Sequence, residues 1–157
     1  MQMEASVCKL TLAIFFLLLL INYSCKHDPI LSYLEAELAN CRDSYDKDVA
    51  DQKLIGSWKL VAEGCGFCPT AGTIFDPSSQ VSLLFDTIQR VIIYEDSFPT
   101  DTIPYILTKI SDNLYSLDHN RDILSPYISG GLIFCKDYIG FDSRAGDGAV
   151  YYFKKTN

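Results

Sequence analysis

From Lys53 onward the chain divides into eight short β-like runs bounded by turn signals, with no helical period between any two of them. The runs are Leu54–Ala62, Val81–Phe85, Ile88–Tyr94, Thr102–Ile110, Leu114–Leu117, Leu132–Cys135, Tyr138–Phe141 and Ala149–Phe153. They are rich in β-branched and aromatic residues, which suit a pleated, half-buried surface. Parallel strands need crossover connections of a dozen or more residues, usually helical, and the gaps here show no such period. The pattern therefore restricts the domain to an all-β antiparallel meander. Ser111-Asp-Asn113, Lys136-Asp137 and Gly146-Asp-Gly148 supply turns. Val91-Ile92-Ile93 and Leu132-Ile133-Phe134 are apolar at successive positions, so these strands need cover on both faces.

The stretch before the β region is the one place with a helical period. Asp28 can cap and Pro29 suits the first helical position, and Ile30, Leu31, Leu34, Leu38 and Cys41 then recur at helical spacing as far as about Tyr45. Glu35 and Glu37 lie in the first half of this segment and Arg42 near its end, as the helix macrodipole prefers. Such an amphipathic helix either lies on the following domain as a plug or cover, or forms a stalk. Residues 43–52 are polar and acidic and read as a linker.

At the amino end, Leu10 to Ile21 is a nearly unbroken apolar run, followed by Asn22-Tyr-Ser24 and Cys25. The run is too short for a hydrocarbon core of roughly 20 residues and fits the ~7–15-residue core of a secretory signal. With Ser24 before Cys25, the segment resembles the signal of bacterial lipoproteins. That resemblance implies removal of residues 1–24 and acylation of Cys25 by palmitate-type chains, anchoring the protein to the outer membrane. Lys26-His27-Asp28 resembles the short charged signal that places some lipoproteins on the outer cell surface. The chain then divides into a signal (1–24), a lipidated lead-in (25–52) and a β domain (53–157).

Composition narrows the partners. The formal net charge is −7, and the longest basic cluster is Lys154-Lys155. Such a surface repels nucleic acid and anionic headgroups, both of which are recognised through Lys and Arg. Contact with the membrane is therefore expected through the lipid, and the protein is expected to be a monomer. After processing, four cysteines remain for pairing, Cys41, Cys65, Cys68 and Cys135. An exported compartment permits disulfides, and three connectivities stay open. Cys65-Gly-Phe-Cys68 also has the spacing of a redox dithiol or half a zinc site. However, it follows a strand and precedes Pro69, and the only histidines are His27 and His119. Structural disulfides are the expectation, with no metal or cofactor.

Gly56-Ser-Trp58, on the first strand of an all-β domain, resembles the Gly-x-Trp signature of the lipocalins and their calycin relatives. The longer pattern is similar to the lipocalin-like domains of bacterial lipoproteins. It comprises Leu54 to Val61, the Cys/Gly-rich Gly64 to Cys68, and the closing Asp147 to Lys154. The resemblance implies a small eight-stranded barrel preceded by a short helix. Trp58 would close its base against a basic residue of the last strand, Lys154 or Lys155. It also implies non-catalytic binding of a small hydrophobic ligand. An alternative is a packed-core module that binds a protein or envelope component through its loops. An enclosed empty volume of ~300 Å³ or more favours the first, and a filled interior favours the second.

Catalytic candidates are sparse. Asp86, Glu95, Asp96, Asp101, Asp112, Asp118, Asp122 and Asp137 fall at strand ends and turns, where Asp bonds its own backbone. Ser125, Ser129 and Ser143 lack a strand-turn-helix elbow, and only His119 could serve them as a base. Asp142 to Gly148 matches a calcium loop only loosely and reads as a hairpin loop. Phe75, Phe85, Tyr94, Tyr105, Tyr115, Phe134 and Phe141 are expected in the interior.

Overall fold

The computed structural model describes residues 41–64, 74–119, 125–143 and 148–156. The signal, Cys25, the lead-in as far as residue 40, and the Cys65–Cys68 pair lie outside the described residues. Among the described residues, one α-helix, α1 (Lys47–Leu54), precedes the strands. These are β1 (Gly56–Gly64), β2 (Ile74–Phe75), β3 (Val81–Phe85), β4 (Arg90–Glu95), β5 (Phe98–Pro104), β6 (Ile106–Ser111), β7 (Leu114–Asp118), β8 (Gly131–Cys135), β9 (Tyr138–Asp142) and β10 (Val150–Thr156). A 3₁₀ turn at Pro126–Ile128 lies between β7 and β8.

All the strands belong to one antiparallel sheet in the order β5-β4-β3-β1-β10-β9-β8-β7-β6, with β2 paired to β1 off that path. The two ends of the order, β5 and β6, are separated in sequence by Tyr105 alone. The sheet must therefore curl until its edges meet at this residue, which gives a half-barrel. Alternation runs unbroken through the corner. Ile103, Tyr105 and Leu107 are buried, whereas Thr102, Pro104, Ile106 and Thr108 are exposed. The chain thus passes from one edge to the other without reversing its faces.

Two differences from the sequence expectation stand out. The run Thr102–Ile110 is two strands with different partners, β5 on β4 and β6 on β7, so the main path has nine members rather than eight. The stretch expected to be a linker holds α1, whose Ala50 and Leu54 are fully buried. Only these two residues, four apart, face inward, so the helix presents a narrow apolar stripe on an otherwise polar segment.

The interior is one contiguous cluster contributed by every main-path strand, with Trp58, Phe85, Tyr115, Phe134, Phe141 and Phe153 among its largest members. Ring pairs Phe85–Tyr105, Tyr115–Phe134 and Phe141–Phe153 meet edge to face at centroid distances of 5.5, 5.2 and 6.1 Å, a favoured aromatic geometry. A bulge between Leu60 and Ala62 shifts the facing of β1. Trp58 and Leu60 join the interior, while Ala62 joins a second apolar cluster with Ile133, Cys135, Val150 and Tyr152 on the outer face.

Candidate functional site: a sealed barrel end and an outer groove

One end of the half-barrel is closed by residues that the sequence singled out. Gly56 has φ +124°, a conformation that L side chains rarely adopt, and a Cβ there would sit 3.3 Å from Lys155 Cε. Glycine at this position therefore lets the chain turn from α1 into β1 beneath the Lys155 stem. Two residues on, Trp58 is 2 % exposed and donates Nε1–H to the Leu54 carbonyl at 2.7 Å. That bond satisfies one of the orphan carbonyls at the end of α1. The Lys155 ammonium lies 5.0 Å from the Trp58 ring centroid and donates to the Lys53 carbonyl at 2.7 Å, a cation–π arrangement. Burial lowers the pKa of Lys155, and the nearby Lys53 charge adds to the shift. Of the two candidate bases, Lys155 therefore meets Trp58. Lys154, the carried-over choice, faces the other side of β10 and lies 5.5 Å over Tyr138, because adjacent residues of a strand point to opposite faces.

The lead-in joins the sheet just before α1. Cys41 is disulfide-bonded to Cys135 at a Cα separation of 5.3 Å, a pairing that the sequence left open. Asp43 N–H then donates to the Phe134 carbonyl at 2.9 Å, and Asp43 Oδ2 accepts from Lys136 N–H and the Tyr45 hydroxyl. Ser44 donates its hydroxyl to the Asp112 carbonyl. The Tyr115 hydroxyl accepts Tyr45 N–H at 2.8 Å and donates to the Tyr45 carbonyl at 2.5 Å, where Lys109 Nζ also donates. β7 and β8 pair only at Tyr115 and Leu132, and the segment 41–45 fills the gap where they diverge. Burial, with help from Asp43, pushes the Tyr45 phenol up to about 12.

Beside this seam, an open groove of about 960 Å³ runs over the outer side of β6, β7 and β8. Ile110, Leu114, Ile128 and Ile133 give it an apolar floor, and Arg42, Asn113, Asp118, His119 and Asp142 give it polar walls. Ile110 is 59 % exposed, and Ile106, four residues earlier on β6, is 62 % exposed. Asp118 accepts the Thr108 and Ser116 hydroxyls at 2.6 and 2.8 Å, and these bonds lower its pKa. His119 Nδ1 is buried and meets no hydrogen-bonding partner among the described residues. Gly130, at φ +88°, leaves no space for a Cβ against the Asp142 carbonyl. The 125–131 connection is thereby held close to β9. The groove is thus built by the lead-in, the β6–β7 turn and the 3₁₀ connection, and its apolar Ile110 was unremarkable in sequence because it continues the period-2 pattern of its strand.

Asp86, Ser129 and Ser143, also singled out in the sequence, make local bonds. Asp86 accepts from Ile88 N–H, Arg90 N–H and Arg90 Nε, closing the β3–β4 turn. Ser129 donates to the Pro126 carbonyl and Ser143 to the Ala149 carbonyl, both within local turns. Phe85, Tyr105, Tyr115, Phe134 and Phe141 are buried and Tyr94 is half-buried, while the Phe75 side chain lies outside the described residues. Among the described residues, no cluster of three or more His, Cys, Asp or Glu is placed to hold a metal ion. None of their helices is long and apolar enough to cross a membrane. In comparison with known proteins, no family model, no curated protein and no solved structure matches this chain.

Proposed function

We propose that this chain is an exported lipoprotein, anchored to the outer membrane through lipid on Cys25, that binds a protein or envelope component through its outer groove and loops rather than performing catalysis. The depth of burial of the core supports this reading. Among the described residues, the rings of Trp58, Phe85, Tyr105, Tyr115, Phe134, Phe141 and Phe153 are all 4 % exposed or less and belong to one cluster, and protein interiors are generally close-packed, which leaves little space for a guest. The groove supplies an apolar floor with polar walls, the composition of a recognition surface. On this reading residues 98–111 count as one bent strand, which brings the circuit to eight and makes the domain lipocalin-like. Gly56, Trp58, Lys155 and the α1 plug support that likeness.

One observation favours the second reading, a small apolar ligand inside the barrel. Apart from the tyrosine hydroxyls and the Trp58 N–H, the buried side chains among the described residues are apolar, so an opened end would expose a largely apolar lining. Intact-mass spectrometry of protein extracted gently from its native membrane separates the readings. The proposal expects a chain beginning at an acylated Cys25, with no stoichiometric small molecule. An unmodified chain beginning at Met1 would overturn the anchor, and a one-to-one apolar ligand would overturn the packed-core reading.

A further inference from the structure

We infer that the groove is a slot for an extended segment of a partner protein, which joins the sheet as a short added strand along β7. The inference deepens the protein-binding reading of the groove and rests on it. Its starting point is the backbone of Leu117. Tyr105 N–H donates to the Gln89 carbonyl, on the β4 side. Backbone groups alternate along a strand, so Leu107 faces that side too, while Ile106 and Thr108 face β7. Their partners Asp118 and Ser116 therefore direct their backbone groups to β6, and Tyr115 and Leu117 direct theirs toward β8. Tyr115 meets Leu132 there. Leu117 meets no strand, because Gly130, which would lie opposite, takes φ +88° and is seated against the Asp142 carbonyl.

Leu117 is 6 % exposed and lines the groove, yet its N–H and C=O have no backbone partner among the described residues. Buried backbone groups are almost always paired, and a strand edge left with both a donor and an acceptor is the template that an extended peptide completes. His119 Nδ1, two residues on, is a second buried polar atom without a partner. The other edges of the described sheet are guarded. On β5, Pro99 and Pro104 are exposed and Asp101 Oδ1 accepts the Thr102 N–H; on β6, α1 packs alongside and Leu107 is fully buried. The lead-in already shows the mode of binding, since Asp43 N–H pairs with the Phe134 carbonyl lower in the same seam. Charge sets the polarity of the occupant. Asp118 and Asp142 stand at the Leu117 end and the exposed Arg42 at the other, with Leu114 and Ile133 between. A strand antiparallel to β7 therefore carries a basic residue first, apolar residues next and an acidic residue or its own carboxyl terminus last. A second copy of this chain, also at −7, is repelled.

Amide exchange read by NMR on the intact, oxidised protein tests the slot, first alone and then with peptides selected from a displayed library of random nine-residue sequences. In the free protein the Leu117 amide is expected to exchange at least roughly 10-fold faster than those of Ser116 and Asp118, which bond β6. Selected peptides are expected to show the basic–apolar–acidic order and to slow the Leu117 amide at least roughly 10-fold on binding. Arg42→Glu should weaken those peptides about fivefold and select new ones with a basic residue in the last place, a swap that misfolding would not produce. A Leu117 amide as slow in the free protein as its neighbours would overturn the missing strand. Peptides that slow other amides and spare Leu117 would overturn the slot while leaving the protein-binding reading standing, and an absence of enrichment would overturn the slot as well. Protection of Leu117 that appears without peptide on raising concentration, with dimer in gel filtration, would assign the slot to a second copy and overturn it equally. A one-to-one apolar ligand in the extraction experiment overturns the underlying reading, independently of these exchange rates.

Discussion

Replacing Cys41 and Cys135 together by alanine removes a cross-link between residues 94 apart in sequence. In the chain-entropy account, a loop of that length contributes about 4.6 kcal/mol by restricting the unfolded chain. Measured cross-links more often give about 2–4 kcal/mol, and a domain of this size has only about 5–15 kcal/mol in total. Alanine is the appropriate replacement because Cys135 is 2 % exposed in an apolar cluster, where a serine hydroxyl would add its own burial penalty. The bonds from Asp43 to Phe134, Ser44 to Asp112 and Tyr45 to Tyr115 remain, so the variant should still fold. Urea unfolding followed by the emission of Trp58, the only tryptophan, gives the readout. With a slope of about 2 kcal/mol per molar, the midpoint should fall by about 1–2.3 M. A shift below about 0.5 M would refute the reasoning, since the cross-link would then constrain nothing that the rest of the fold does not.

Other perturbations probe separate joints. Tyr115→Phe removes the hydroxyl that accepts Tyr45 N–H, and the orphaned donor should cost about 1–3 kcal/mol in the same assay. Gly56→Ala forces a side chain into φ +124° beneath Lys155, and should cost about 1–3 kcal/mol together with a change in Trp58 emission. The phenols of Tyr45 and Tyr105 are each pushed up to about 12, chiefly by burial. The folded state therefore holds more protons than the unfolded state between about pH 10 and 12. Stability should be intact below pH 10 and fall as pH rises through that window, and ultraviolet titration should show at least two phenols ionising late.

Much of the fold was readable because strands reveal themselves by period. Val81–Phe85 was read to the residue, and the expected runs at 132–135 and 138–141 lie within β8 and β9. The hairpin between β4 and β5 was missed because Asp96 and Ser97 both adopt positive φ, at 48° and 72°, without a glycine to announce it. Asp tolerates that region better than most residues, but Asp-Ser is a weak signal. α1 was missed because its inward stripe is only Ala50 and Leu54, whose helical value comes from tertiary burial rather than from pattern. Of the sealed end, Gly56 and Trp58 were legible, whereas the choice of Lys155 over Lys154 depends on strand facing after the β1 bulge. The groove was hidden because its walls come from Arg42, Asn113, His119 and Asp142, far apart in sequence and joined only by the curl of the sheet.

The central claim is that the interior is filled and that binding belongs to the outer surface. Trp58 lies in that interior, so titrating the purified protein with a long-chain fatty acid while following its emission tests the claim directly, with calorimetry as the second channel. A flat emission trace and no saturable heat are predicted. A saturable one-to-one isotherm that changes Trp58 emission would contradict the account and place a ligand inside the barrel.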